Sequence, residues 1–179
     1  MVFFTLAAER YSVRSFSPKP LEKETITRIL EAGHRAPTAC NIQPQRIVVL
    51  KDEASLAKLK TCTKCHFNAP AALLVCYHRE ECWTRRYDGA KSGTVDAAIV
   101  TTHMMLAAWE LGVGSCWVMH FDPAAMRQTY AIPDEIEPVA LLVLGYPAED
   151  AAPLPLHEQM RPMKETVRFG GWERNTDNQ

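Results

Sequence analysis

The sequence has no surplus of either charge. Lysine and arginine total 20, aspartate and glutamate 21, for a formal net charge of -1. Without a basic excess no nucleic-acid partner is expected, and without an acidic tail no basic one. A long uninterrupted apolar run is also missing. The most apolar stretch, Val95 to Leu111, contains Asp96, His103 and Glu110. Hydrocarbon would penalise each of these, so no membrane span is expected. Internal repeats and low-complexity segments are lacking too. No G-x-S-x-G elbow, P-loop or H-E-x-x-H occurs, which sets aside the hydrolase, nucleotidase and zincin signatures. The opening Met1-Val-Phe-Phe-Thr-Leu-Ala-Ala-Glu9 has no basic n-region and only a short apolar stretch. A cytoplasmic chain with reduced thiols is therefore expected.

What is present suits a single globular domain over residues 1–179, with 47% hydrophobic and 23% charged residues. A domain of this length buries roughly 70% of its unfolded surface, so it needs no disulfides. The six cysteines, Cys40, Cys62, Cys65, Cys76, Cys82 and Cys116, are accordingly expected as free thiols.

The apolar spacing predicts a helical turn at the start and a helix over Leu21–His34. Pro37 to Pro44 reads as a loop, Ile47–Leu50 as a buried strand and Glu53–Lys60 as a short helix. Ala71–Tyr77 is a second apolar strand, and residues 78–92 are polar and irregular. Ser92–Leu111 is the longest helix, with broad apolar faces that place it centrally. Ser115–Met119 and Val139–Leu144 are further strands, separated by a helix over Pro123–Tyr130. From Ala148 the chain is proline-rich and polar, an arm lying over the body or over a partner. This order implies a helix-rich α/β or α+β sheet around one long helix.

Four groups of residues could carry chemistry. Arg10, Ser12 and Arg14 lie within five residues, and in an extended segment alternate side chains share a face. Two guanidinium groups and a hydroxyl make a phosphate cradle, although a solvated terminal segment has the same letters. The stiff loop around Pro37, Thr38, Ala39, Asn41 and Gln43 offers donors and acceptors for the edge of a planar heterocycle, or caps itself. Gly112-Val-Gly-Ser-Cys-Trp-Val-Met-His120 can bring backbone N–H groups close to a ligand, or merely connect helix to strand. It is no dinucleotide fingerprint, because Trp117 stands where a third glycine belongs. Cys62-Thr-Lys-Cys65-His66 matches a haem-attachment pattern and half a zinc site, with Cys76, His78 and Cys82 downstream. A redox pair and ordinary thiols are the other readings of it.

Taken in order, these segments resemble the nitroreductase-like flavoproteins. Arg10-Tyr-Ser-Val-Arg14-Ser-Phe is similar to their R-R-S-x-R-x-F opening, with Tyr11 in place of the second basic residue. Ala36-Pro-Thr-Ala-Cys-Asn-Ile-Gln-Pro44 resembles their A-P-S-x-x-N-x-Q-P-W loop, with Gln45 in place of the tryptophan. Asp96-Ala-Ala-Ile99, Leu106 to Trp117, Val139 to Pro147 and Arg161-Pro-Met-Lys-Glu-Thr-Val167 continue the likeness.

The resemblance implies a three-layer α+β fold, a mostly antiparallel sheet flanked by helices with a long central helix, in an intertwined homodimer. It implies FMN bound between the two chains, with NADH or NADPH as electron donor. Nitroaromatics, quinones or similar small molecules would be the acceptors. Arg10, Ser12 and Arg161 would hold the FMN phosphate, Arg14 would sit near the flavin N1 edge, and Tyr11 would be among the cofactor-binding residues. Pro37, Thr38 and Ala39 would approach the flavin from the partner chain, and Asn41 would be a further cofactor-binding residue. Trp117, Val118, Met119 and His120 would offer backbone N–H near N5. The arm 148–179 would pack on the partner. A flavin- or zinc-binding dimeric scaffold without catalysis is the competing expectation.

Overall fold

Two apolar runs become the central strands of a four-stranded antiparallel sheet because both of their faces are covered. In this computed structural model, residues 2–172 are described. Strands β1 (Gln45–Leu50), β2 (Ala71–His78), β3 (Gly114–Val118) and β4 (Ile136–Gly145) lie in the order β1-β2-β4-β3. Every neighbouring pair is antiparallel. The two-residue side-chain period divides β2 and β4 between two cores. Leu73, Val75, Leu142 and Leu144 face one, while Ala72, Leu74, Cys76, Leu141 and Val143 face the other.

Helices complete the outer layers. Over the first face lie α2 (Lys23–His34) and α4 (Gly93–Glu110), with Ala97, Val100, Met104 and Ala108 buried beneath them. A Cβ on Gly33 would stand 2.7 Å from Met104 Cγ, so glycine there permits the close crossing of these helices. Over the second face lie α3 (Glu53–Cys62) and α5 (Pro123–Tyr130). The Asp52 carboxylate caps α3 by accepting the Ser55 N–H at 2.9 Å, which lowers its pKa. Asp122 caps α5 through the Ala124 and Ala125 N–H groups, with Pro123 in the first turn. A short α1 (Phe3–Glu9) precedes the body, and α6 (Met163–Thr166) lies in the arm.

Elements fall in the expected order, with shifted ends. Helix α2 starts at Lys23 because Leu21 is buried in an extended segment after Pro20. Strand β4 starts three residues before Val139, since Ile136 and Glu137 pair with His78 and Tyr77. Pro138 is tolerated there because the β2 register shifts at Val75/Cys76 opposite it. Met119 falls outside β3. The arm's first stretch is tied to the chain's own N-terminal segment. Ala148 N–H donates to the Ser15 carbonyl, Ser15 Oγ to Asp150 Oδ1 and Tyr11 OH to the Ala151 carbonyl. Beyond it the arm is exposed, and its apolar side chains Met160, Met163, Phe169 and Trp172 are each at least 74% accessible. Residues 173–179 of the expected arm lie outside the described residues. Among the described residues, no helix is long and apolar enough to cross a membrane.

Candidate functional site

The segment carrying Arg10, Ser12 and Arg14 runs beside the edge strand β3. Val13 N–H donates to the Ser115 carbonyl at 2.9 Å, and Ser12 bridges Ser115 in parallel. Val13 is fully buried, which orients the residues on either side of it. A cavity of about 190 Å³ results, lined by Arg10, Tyr11, Ser12 and Arg14, with Leu154, Leu156 and His157 from the arm. Arg14 Nη1 donates to the Ser12 carbonyl at 3.1 Å. Burial pushes the neighbouring Cys116 thiol up, opposed by the charge of Arg14 and the hydroxyl of Ser12. Two guanidinium groups and a hydroxyl with no carboxylate among the lining residues are a donor set that fits a phosphate dianion. Tyr11 stacks edge-to-face on Trp109 of α4, with centroids 5.2 Å apart.

The loop 36–44 is anchored by a buried acidic side chain. Asp96, in the first turn of α4, is 1% exposed. Its carboxylate accepts the Ala39 N–H at 2.9 Å and the Ser92 hydroxyl at 2.7 Å. Cys40, Asn41 and Gln43 all have φ between 51° and 57°, a left-handed path that tightens the turn. Thr38 Oγ1 accepts the Gln43 N–H at 3.0 Å, and Gln43 Nε2 reaches Asn41 Oδ1 at 3.3 Å. The polar groups expected to read a ligand edge thus bond one another here. Pro37 and Asn41 are exposed. Ala39 lines a second cavity, about 470 Å³, whose walls include Trp83, Val95 and Ile99, with Arg85 and Lys91.

Trp117 and Val118 belong to β3, and Met119 and His120 follow it at the surface. The Thr63 hydroxyl donates to the His120 carbonyl at 2.5 Å and Asp122 N–H to the Cys62 carbonyl at 2.9 Å. These bonds wall a third cavity of about 470 Å³, which Lys60, Lys64, His120 and Phe121 also line. Arg161 is exposed on the arm, 3.7 Å from Glu165. One chain therefore gathers Arg10, Tyr11, Ser12 and Arg14. It keeps the 37–41 group, the 117–120 group and Arg161 in other places.

The cysteine motif does not converge. Cys62 ends α3 inside the core and donates to Thr129 Oγ1 at 3.4 Å. Cys76 is buried in β2, where burial pushes its thiol up to about 12. Cys82 is buried against the Arg79 carbonyl. His66 is pushed down by burial and by the charge of Lys60. Among the described residues, no three His, Cys, Asp or Glu side chains come together as metal ligands. Two further residues stand at these places, Asp96 under the loop 36–44 and His157 in the cation cavity. Asp96 has a local signal in Ser92 four residues before it at a helix start. His157 has none, being more than 140 residues from its neighbours.

A sequence profile of the nitroreductase family matches residues 7–70 and 60–146. A protein of Archaeoglobus fulgidus named NADH dehydrogenase/NAD(P)H nitroreductase is 30% identical, the match covering 79% of this chain and 83% of that protein. The crystal structure of a nitroreductase family protein from Clostridium difficile 630 superposes with a TM-score of 0.90 at 37% identity. That superposition covers 96% of this chain and 100% of the other. An FMN-dependent nitroreductase of Clostridium difficile R20291 shares the fold at 22% identity and a TM-score of 0.78, over 95% and 100% of the two chains. The sheet order, the cation cavity beside β3 and these matches agree: the chain belongs to the nitroreductase family.

Proposed function

We propose that the protein is an FMN-dependent NAD(P)H oxidoreductase, working as a homodimer on nitroaromatic, quinone or similar small acceptors. The observation that carries this is the 190 Å³ cavity shared by Arg10, Ser12 and Arg14. A phosphate monoester brings about -1.5 to -2 charges at neutral pH; Arg10, joined by Arg161, would oppose them while the Ser12 hydroxyl donates, and Arg14 would lie at the flavin N1 edge. When bound, FMN supplies the hydride chemistry. The chain therefore needs no general acid or base of its own, which agrees with the missing hydrolase and metal motifs. Its residues hold the phosphate, orient the ring beside β3 and leave room for donor and acceptor in turn. Ping-pong kinetics are expected.

The dimer reading is supported by the division of the remaining candidates. Pro37, Thr38, Ala39 and Arg161 lie away from the cavity of their own chain, and a second chain would bring them to it. The exposed apolar side chains of the arm give that second chain a surface to cover.

The test is the visible spectrum of the purified protein, followed by denaturation and identification of what is released. A flavin spectrum, release of FMN and bleaching by NADH or NADPH are expected. A colourless protein that takes up no added FMN would overturn the reading.

A further inference from the structure

The arm brings one titratable side chain into the cation cavity. His157 sits in the turn Pro155–Glu158, and its Nε2 lies 3.2 Å from the Ala8 carbonyl on α1. A carbonyl only accepts, so Nε2 carries the hydrogen and Nδ1 is the nitrogen that gains or loses a proton. Nδ1 has no partner among the described residues. The ring is also held by its neighbours. It meets the Tyr11 ring edge-on at 6.3 Å, and Tyr11 is fixed in turn by Trp109 and by its hydroxyl on Ala151.

We propose that His157 is the pH-dependent third cation of this cavity, its protonation tightening the hold on a phosphate-bearing flavin over a phosphate-free one. The proposal rests on the FMN reading above. Arg10 and Arg14 line the cavity with it, and no carboxylate is among the lining residues. A bound dianion favours the charged imidazole, so binding takes up a proton and strengthens as the pH falls.

The charged and titratable groups that line the cavity with His157 are Arg10, Arg14 and Tyr11; Glu158 follows it in its own turn and Glu9 follows Ala8 on α1. None of these is an imidazole, the side chain whose ordinary range spans about pH 5 to 8. The Cys116 thiol behind Ser12 and Arg14 is pushed up by burial and keeps its proton.

The test is the affinity of the apoprotein for FMN and for riboflavin between pH 6.5 and 8, in wild type and in His157→Gln. Glutamine can still donate to the Ala8 carbonyl but gains no charge. In wild type the preference for FMN over riboflavin should grow about tenfold from pH 8 to pH 6.5, and in the variant by less than about twofold. The phosphate's own second ionisation, near pH ~6, acts in the opposite direction and is common to both proteins. Riboflavin affinity reports whether the variant has kept its fold. An equal pH slope in both proteins overturns the role of His157 alone. Failure of the wild type to bind either flavin overturns the FMN reading with it.

Discussion

Two irregular connections border the second cavity, and they are held differently. The loop 36–44 is pinned from inside, where the buried Asp96 carboxylate takes the Ala39 N–H and the Ser92 hydroxyl. The segment 79–92 is pinned mainly from outside, apart from the buried Cys82 thiol on the Arg79 carbonyl and Ser92 at its end. Arg85 pairs with Asp88, Arg46 with Glu81 and Arg79 with Glu137, all at the surface. Thr84 and Lys91 bridge its base, and Tyr87 at its tip is 97% exposed. The contrast teaches that number is a poor guide to strength. Exposed pairs contribute about 0–1 kcal/mol each, whereas a buried acceptor whose partners have no substitute contributes more.

The largest effect should come from breaking the inner anchor. Asp96→Ala leaves the Ala39 N–H and Ser92 hydroxyl without their acceptor and should cost about 3 kcal/mol in denaturant unfolding. Asp96→Asn, which keeps one acceptor oxygen, should cost less. If Asp96→Ala costs no more than Arg85→Ala, the contrast fails. Next, Arg10→Ala should weaken FMN binding by about 30-fold, close to 2 kcal/mol, while riboflavin binding and unfolding stay near wild type. That result would separate the cavity from the scaffold holding it. Thr38→Val removes the acceptor of the Gln43 N–H and should lower the melting temperature by the equivalent of about 1 kcal/mol. Asp88→Ala in the outer segment should change stability by only about 0.5 kcal/mol or less.

The opposite face of the sheet should show no effect at all until the solution is alkaline. Burial raises Tyr130 from its ordinary 10 to about 12 and Cys76 from 9 to about 12. The folded chain keeps protons that the unfolded chain releases, so stability holds below pH ~9 and falls as the pH rises toward ~12. Melting temperatures across that window, with Tyr130→Phe for comparison, would show it. The Tyr130 hydroxyl also donates to the Ser55 carbonyl at 2.9 Å, so the variant should begin from a lower value at neutral pH.

These elements were unequally legible in the sequence. The runs at 71–77 and 139–144 announced buried strands because apolar residues fill both faces. The start of β4 did not, since Ile136, Glu137 and Pro138 follow no strand pattern and gain their place by pairing with β2. Arg10, Ser12 and Arg14 were legible as a cradle because they are close in sequence and alternate. The cysteine letters were ambiguous, because spacing says nothing of direction, and Cys62 and Cys76 turn into the core. Loop geometry was hidden as well. Asparagine suits a left-handed φ, but Cys40 and Gln43 carry no such preference. His157 was invisible because only the folded arm brings it to α1.

The edge-to-face contact of Tyr11 on Trp109 has an optical consequence. Light absorbed by the phenol passes to the indole, which lies one ring away from the cation cavity. A coloured guest seated there would drain the indole's emission. The two rings that help fasten the arm would thus serve as a built-in fluorescent gauge of whether the cavity is filled.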